Sequence, residues 1–235
     1  LVGAQIALLD ALAEVSAETG TPFVLVVLAS KPHVLPPSAL RANAIIWAAN
    51  PGMTGGQAIA DLLLGAIEPS GRLPLSWPRH VGQQPVFYNQ ITSQHGTRYA
   101  DLTQDPQWVF GEGLSYSCIA YSDLRIAAPI VGEGDVVRAS VVVTNTGARP
   151  VLETVQVYVR DVVTSVTWAD KELKAHAQVQ VAPGESATVE LEVPVAACTI
   201  VDADGVRRVE PGTFALLVGP SSREETLLTA IFDVV

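Results

Sequence analysis

The sequence predicts an α/β region followed by an all-β region, and three observations support this fold class. The first third of the chain alternates helix-like and strand-like segments. From about Tyr116 onward, short runs alternate apolar and polar residues between turns that contain Gly, Pro, Asn or Asp. Apolar residues make up 49% of the 235 residues and charged residues only 16%, which is the composition of a globular chain of one or two domains.

The α/β region is predicted from alternating segments. Gly3–Glu18 places apolar residues at helical spacing, and Gly and Pro follow it. Phe23–Ala29 is continuously apolar, as in a strand covered on both faces of a parallel sheet, and Asn43–Ala49 repeats this pattern after a short helical turn at Pro37–Arg41. Gly56–Leu64 predicts a second amphipathic helix. Because two strands are too few for a stable doubly wound sheet, we expect an incomplete α/β sandwich, a parallel sheet with flanking helices.

We expect three parts along the chain. Residues 1–80 form the incomplete α/β part, residues 81–115 form a connecting loop segment, and residues 116–235 form a β-sandwich. The connecting segment shows little periodicity and includes the polar and aromatic stretch Phe87–Leu102. A loop of this length within a compact protein is usually functional or packed as a brace.

The all-β part is predicted from short runs in which every second residue is apolar. The runs Thr154–Val159, Thr188–Val193 and Thr213–Val218 each place apolar side chains on one face. Turn motifs such as Asn145–Gly147 and Pro211–Gly212 recur at fairly regular spacing. We therefore expect a sandwich of roughly seven strands.

An ordered series of motifs resembles the C-terminal part of a glycoside hydrolase family 3 β-glycosidase, of the β-glucosidase or β-xylosidase type. The resemblance covers nearly the whole chain, and the order and spacing of the set are specific although each motif alone is weak. The motifs are Trp47 with Pro51-Gly52 and Gly55-Gly56, Asp61 with Gly65, Pro69–Pro74, Phe110–Tyr116, Asn145–Gly147, Val155–Tyr158, Glu172–Ala175, Ala182–Glu185, Pro211-Gly212 and Val218-Gly219. The resemblance implies the end of an α/β sandwich domain followed by a fibronectin type III-like domain. Glu112 stands where the family often has His, and Cys118 and His176 replace residues that are usually aromatic or hydroxylated.

The resemblance also implies the mechanism of a retaining glycosidase, in which one carboxylate attacks the anomeric carbon and another acts as acid and then base. The family nucleophile is an Asp in an N-terminal barrel domain, and the acid/base Glu of many members lies shortly before a segment similar to Leu1–Gln5. We therefore expect no catalytic residue in this chain, which alone would be inactive and which would need the barrel domain as a partner. Since Met53 is the only methionine, we expect the chain to belong to a longer protein. The alternative is a non-catalytic β-sandwich module that binds carbohydrate or protein.

Six residues are candidates for positions close to a carbohydrate substrate, because aromatic faces bind C–H surfaces and polar groups bind hydroxyls. They are Trp47, Tyr88, Asn89, His95, Arg98 and Tyr99. For Trp47, which lies in an apolar strand, the alternative is a core position. For the other five, the alternative is a loop that braces neighbouring parts of the fold through hydrogen bonds.

Charge and motif spacing exclude several function classes. A net charge of −10 and a pI near 4.8 argue against a nucleic-acid partner, and no apolar run approaches the ~20 residues of a membrane span. The turn Pro51–Gly56 has neither dinucleotide-binding nor P-loop spacing, so no nucleotide cofactor is expected. We expect no other cofactor.

A homo-oligomer is compatible with the sequence, and we favour a cytoplasmic over a secreted location.

The histidines and cysteines give no ligand spacing, so no metal site is expected. Cys118 and Cys198 could pair if strands brought them together, but we favour two unpaired thiols.

Overall fold

The computed structural model describes residues 3–92 and 101–235, and these divide into two compact units. The first unit consists of the residues up to Ile67 together with Trp77–Val86. The second unit consists of Glu68–Ser76 together with the described residues from Phe87 to Val235. The chain therefore leaves the first unit, contributes nine residues to the second, and returns before the second unit continues.

The first unit is an α/β body. Its elements are α1 (Gln5–Thr19), β1 (Val24–Val27), β2 (Ala44–Trp47) and α2 (Gly55–Leu63), with short 3-10 turns at Ala39–Arg41 and Val81–Gln83. The strands β1 and β2 pair in parallel, with Val24 opposite Ala44 and Val27 opposite Trp47. The helix α1 ends at Gly20, whose left-handed φ of 68° lets its N–H reach the Ser16 carbonyl oxygen. Among the described residues, neither helix combines the length and apolar character that a membrane crossing needs.

Few apolar side chains of the first unit are buried. On α1 only Leu9 and Ala13 are buried, whereas the apolar residues Ile6, Leu12 and Val15 of the same helix are 41%, 44% and 53% exposed. A two-stranded sheet is only about 5 Å wide between strand axes, and a helix with side chains is about 10 Å across. The two strands therefore cover only part of the apolar surface that the helix carries.

The second unit is all-β. Its strands are β3 (Ile119–Ile126), β4 (Ile130–Val131), β5 (Val136–Asn145), β6 (Val151–Asp161), β7 (Glu172–Val181), β8 (Ser186–Pro194), β9 (Ile200–Val201), β10 (Arg207–Arg208), β11 (Gly212–Gly219) and β12 (Leu228–Val234), with 3-10 turns at Val195–Ala197 and Glu224–Thr226. One sheet has the order β4-β12-β11-β6-β7 and the other has the order β3-β5-β8, while β9 and β10 form a separate short pair. All pairs are antiparallel except β12 with β4, so the larger sheet is mixed.

The two sheets of the second unit share one apolar core. The side chains of Val141 and Val143 on β5 and of Val155 and Val157 on β6 are fully buried within it. The predicted alternation of the Thr154–Val159 run therefore matches its buried face. The other face of β6 is also buried, because Gln156 and Tyr158 lie under chain segments that precede the strands.

Candidate functional site

Trp47 ends β2 in the first unit and is held by two contacts. Its indole N–H donates to the Ala29 carbonyl oxygen at 2.7 Å, and its ring meets Trp77 edge-on at a centroid distance of 5.5 Å. Trp77 is 2% exposed and donates its own indole N–H to the His33 carbonyl oxygen. Trp47 is only half-buried, so it combines a fixed orientation with a partly accessible ring.

The first unit also contains an apolar groove of about 310 Å³. The groove runs between α1 and β1 and is lined by Gln5, Leu8, Leu9, Leu25–Ala29, His33 and Leu35. Leu8 and Leu28, on its walls, are 60% and 63% exposed. Such a contiguous apolar surface is typical of a face that another body covers.

Tyr88, in the second unit, points inward. Its ring stacks on Phe110 at 4.2 Å and meets Tyr158 edge-on at 5.9 Å. Its hydroxyl oxygen accepts a hydrogen bond from the Leu173 N–H at 3.1 Å. Burial, offset in part by that hydrogen bond, raises the pKa of the Tyr88 hydroxyl. These contacts make Tyr88 a brace between the connecting segment and the outer face of the larger sheet.

The neighbours of Tyr88 point outward. Asn89 is exposed, and the Phe87 ring is 58% exposed. The Gln90 carbonyl oxygen accepts a hydrogen bond from the Asp170 N–H at 2.8 Å, and Ile91 forms a bridge with Ala169. The other three predicted residues, His95, Arg98 and Tyr99, lie outside the described residues. Within its unit, the structure thus brings Tyr88 to Phe110 and Tyr158, and Trp47 to Trp77.

A network of four charges supports the segment that carries Asn89. Arg160 contacts Asp170 at 3.0 Å and Glu224 at 2.9 Å, and Lys171 contacts Asp170 at 3.1 Å and Glu224 at 2.8 Å. Burial opposes ionisation of Glu224, but hydrogen bonds from Arg160 and Lys171 outweigh it and lower the pKa to about 2. Sequence patterns do not reveal this network, because its members lie up to 64 residues apart in the chain.

The Pro69–Pro74 motif packs onto the β-sandwich. The Arg72 guanidinium contacts the buried Glu153 carboxylate at 2.6 Å, and the Tyr121 hydroxyl donates to the same carboxylate at 2.7 Å. The Leu73 N–H donates to the Glu112 carbonyl oxygen, and the Gly111 N–H donates to the Leu73 carbonyl oxygen. This motif therefore acts as a structural clamp in the second unit.

The Phe110–Tyr116 motif is anchored in the same way. Gly111 has φ +79°, and a Cβ there would collide with the Gln156 side-chain amide, so both conformation and space require glycine. The amide N–H of Gln156 donates to the Gly111 carbonyl oxygen, and the Tyr158 hydroxyl donates to the Gln156 side-chain oxygen. Glu112, at a departure from the family pattern, contacts Arg223 at 2.6 Å.

The Asn145–Gly147 motif is also structural. Asn145 is completely buried, and its side-chain oxygen accepts from the Ser117 hydroxyl and from the Gly147 N–H. Its side-chain N–H groups donate to the Arg149 and Val181 carbonyl oxygens. One amide thus links the start of the sandwich, a turn and the end of β7.

Asp161, Glu14 and Glu18 are not placed in the described part of the chain as a glycosidase would need its carboxylates. Asp161 has its pKa raised to about 6, mainly by burial, but the cavity beside it holds only about 10 Å³. That volume fits one water molecule and excludes a sugar ring. Glu14 and Glu18 lie exposed on α1. In the described ranges, no group of three or more His, Cys, Asp or Glu side chains is arranged to hold a metal ion, and Cys118 and Cys198 are unpaired.

Two family models match the chain. Residues 1–116 match the glycosyl hydrolase family 3 C-terminal domain, and residues 153–222 match a fibronectin type III-like domain. Among curated proteins, the chain is 36% identical over 214 residues to a periplasmic β-glucosidase of Salmonella typhimurium, covering 87% of this chain and 28% of that protein. It is 35% identical to a β-xylosidase of Formosa agariphila, covering 95% of this chain and 31% of that protein.

Solved structures agree with these relatives. A β-glucosidase involved in saponin metabolism from intestinal bacteria matches with a TM-score of 0.96 and 52% identity, over 100% of this chain and 34% of that one. A β-glucosidase from Listeria innocua in complex with glucose matches with a TM-score of 0.86 and 29% identity, over 96% and 32%. The chain thus spans about a third of the length of the relatives it matches. The Salmonella protein is named periplasmic, so the expected cytoplasmic location gains no support.

Proposed function

Because this chain belongs to glycoside hydrolase family 3, as its motifs predicted, we propose that it is the C-terminal portion of a retaining β-glycosidase that hydrolyses terminal β-linked sugars. The observation that carries this proposal is the match to a β-glucosidase structure over the whole chain, at 52% identity. Relatives named β-glucosidase and β-xylosidase support glucosides and xylosides as the substrate class.

We propose that both catalytic carboxylates lie outside this chain. A retaining glycosidase needs two carboxyl groups roughly 5 Å apart on either side of the scissile bond, with room for a sugar between them. In the described part of the chain, the buried carboxylate of Glu153 is neutralised by Arg72, and Asp161 faces a space that excludes a sugar ring. An N-terminal barrel domain of a longer protein would supply the Asp nucleophile, and the acid/base Glu would come from the rest of the α/β sandwich domain.

The proposed role of the first unit is to complete an α/β sandwich. Its support is the apolar groove beside β1 and the exposed apolar side chains of α1, which further strands or helices would cover. In that setting Trp47 would stand close to the substrate, with its indole N–H already held by Ala29.

The proposed role of the second unit is to support the aglycone side of the pocket. Asn89, His95, Arg98 and Tyr99 remain proposed as substrate-proximal residues on the chemistry of their side chains. The inward packing of Tyr88 favours a bracing role for that residue. Since a relative at 52% identity is named for saponin metabolism, we propose β-glucosides with bulky apolar aglycones among the substrates.

The proposal is tested by comparing the full-length protein with the isolated 235-residue chain on p-nitrophenyl β-glucoside and β-xyloside. We expect turnover by the full-length protein, with the β-anomer of the sugar formed first in proton NMR spectra, and no turnover by the chain alone. Robust hydrolysis by the isolated chain would refute the proposal that both catalytic carboxylates lie outside it. An inactive full-length protein whose isolated chain binds oligosaccharides in calorimetry would favour the alternative of a binding module.

A further inference from the structure

In the segment Phe87–Thr92, some side chains pack against the β-sandwich and the others are exposed to solvent. Tyr88 packs inward against Phe110, and Gln90 is half-buried. Phe87 and Ile91 are 58% and 38% exposed, and Asn89 is exposed as well. The outward side therefore carries one aromatic ring, one amide, one branched apolar side chain and the hydroxyl of exposed Thr92, without a charge.

This outward side is held rigidly by what lies beneath it. The Leu173 N–H donates to the Tyr88 hydroxyl oxygen, and the Asp170 N–H donates to the Gln90 carbonyl oxygen. Asp170 is itself clamped by Arg160 and Lys171, and the Lys171 side chain is only 6% exposed. A surface whose backbone is fixed in this way loses little conformational entropy when it binds a ligand.

The exposed ring of Phe87 lies on a segment whose backbone is fixed, so the ring is available to a ligand. Phe87 is 58% exposed and forgoes much of the stabilisation that burial of its ring would give, while Tyr88 beside it is packed. Rigid aromatic rings beside a small number of hydrogen-bonding groups are typical of ligand sites that bind largely apolar molecules.

We propose that Phe87, together with Asn89, recognises the apolar aglycone of the β-glycoside substrate, an inference that rests on the proposed function. The aglycone fits this surface better than the terminal sugar does. A pyranose ring presents several hydroxyl groups, each of which needs a partner when desolvated, whereas the described outward side chains offer only one amide and the Thr92 hydroxyl. A fused-ring aglycone presents broad C–H surface to stack on Phe87 and few hydroxyl groups, which Asn89 can bind.

The test uses the full-length protein and its Phe87→Ala and Phe87→Leu variants. The ratio of kcat/KM for a triterpenoid saponin glucoside to that for methyl β-glucoside is measured for each. We expect Phe87→Ala to lower the saponin value about 10-fold, which corresponds to about 1.4 kcal/mol of transition-state binding. Methyl β-glucoside, which has no aglycone surface to contact, should change by less than about twofold. Phe87→Leu, which keeps apolar volume but lacks the ring, should lie between.

The matched control is Val163→Ala, which removes an 81% exposed apolar side chain elsewhere on the same unit and should leave the ratio unchanged. An unchanged ratio in Phe87→Ala, or an equal loss on both glucosides, would overturn the role of Phe87 while leaving the proposed function intact. A wild-type protein that hydrolyses neither glucoside would instead overturn the proposed function, and this inference with it.

Discussion

The two units of this chain differ in how much of their apolar side-chain surface is buried. On α1 of the first unit, Ile6, Leu8 and Leu12 are 41–60% exposed, whereas on β5 of the second unit Val141 and Val143 are not exposed at all. The difference follows from the number of layers within each unit. Two sheets of five and three strands cover each other's inner faces, whereas two short strands cover only part of a helix. The second unit should therefore contribute most of the free energy of unfolding of this chain.

The second unit is also stabilised by loop segments, which the alternating pattern of strands does not identify. Arg72, which precedes the sandwich strands by almost fifty residues, contacts Glu153 near the start of β6. Tyr88 and Phe110 cover the outer face of the same strand around Tyr158. The sandwich is therefore stabilised on its outside as well as in its core, and this comparison between the units can be tested by substitution.

The largest effect is expected for Glu153→Ala. This change leaves the Arg72 guanidinium, which is 10% exposed, without its buried counter-charge and the Tyr121 hydroxyl without its acceptor. Breaking a buried ion pair from one side typically costs about 3–5 kcal/mol. Urea unfolding of the 235-residue chain, followed by far-UV circular dichroism, measures the loss. Glu190→Ala, an exposed carboxylate on the outer face of β8, is the control and should change the free energy of unfolding by less than about 0.5 kcal/mol. Equal effects of the two variants would mean that the clamp contributes nothing to stability.

An intermediate effect is expected within α1. Leu9 is 7% exposed and Leu12 is 44% exposed, so the two residues test whether the first unit has a core of its own. Leu9→Ala should destabilise the first unit by about 2 kcal/mol, at the low end for buried leucines because little surrounds the site. Leu12→Ala should cost less than about 0.5 kcal/mol in the isolated chain and should lower the binding of a hydrophobic dye, because it removes exposed apolar surface. Thermal unfolding and dye fluorescence measure both. A large cost for Leu12→Ala would show that α1 is covered in the isolated chain.

The smallest effect is expected for Glu224→Gln and depends on pH. The pKa of Glu224 is lowered from 4.5 to about 2 in the folded state, so its stabilising contribution is present above pH 4.5 and is lost as the pH falls towards 2. Because the side chain is 51% exposed, solvent screening limits this contribution to about 1 kcal/mol, or roughly 2–4 °C in melting temperature. The melting temperatures of wild type and variant should therefore differ at pH 7 and converge near pH 2.5. Glu225→Gln, an exposed neighbour, is the control. A difference that persists unchanged at pH 2.5 would contradict the assignment of the effect to the Glu224 charge.

Much of the fold could be predicted because it depends on short-range periodicity. The helices and the strands β1 and β2 lie within a few residues of the predicted ranges, and the alternation of Thr154–Val159 identified the face that enters the core. The candidate site was harder to predict, because the orientation of a loop residue is not a periodic property. Tyr88 and Asn89 are adjacent and both suited to binding sugar, yet one is packed against Phe110 and the other is exposed.

The sequence by itself determined the family, the order of the α/β and all-β parts, and the inner faces of the strands, since these depend on motifs and on neighbours two to four residues apart. Only the tertiary structure decided that Arg72 pairs with Glu153, that Gln156 is buried on the outer side of its strand, and that Phe87 faces outward. Each of these outcomes depends on which distant segment covers a given surface. Packing between distant segments decides which surfaces are covered, and local patterns of side chains do not encode that packing.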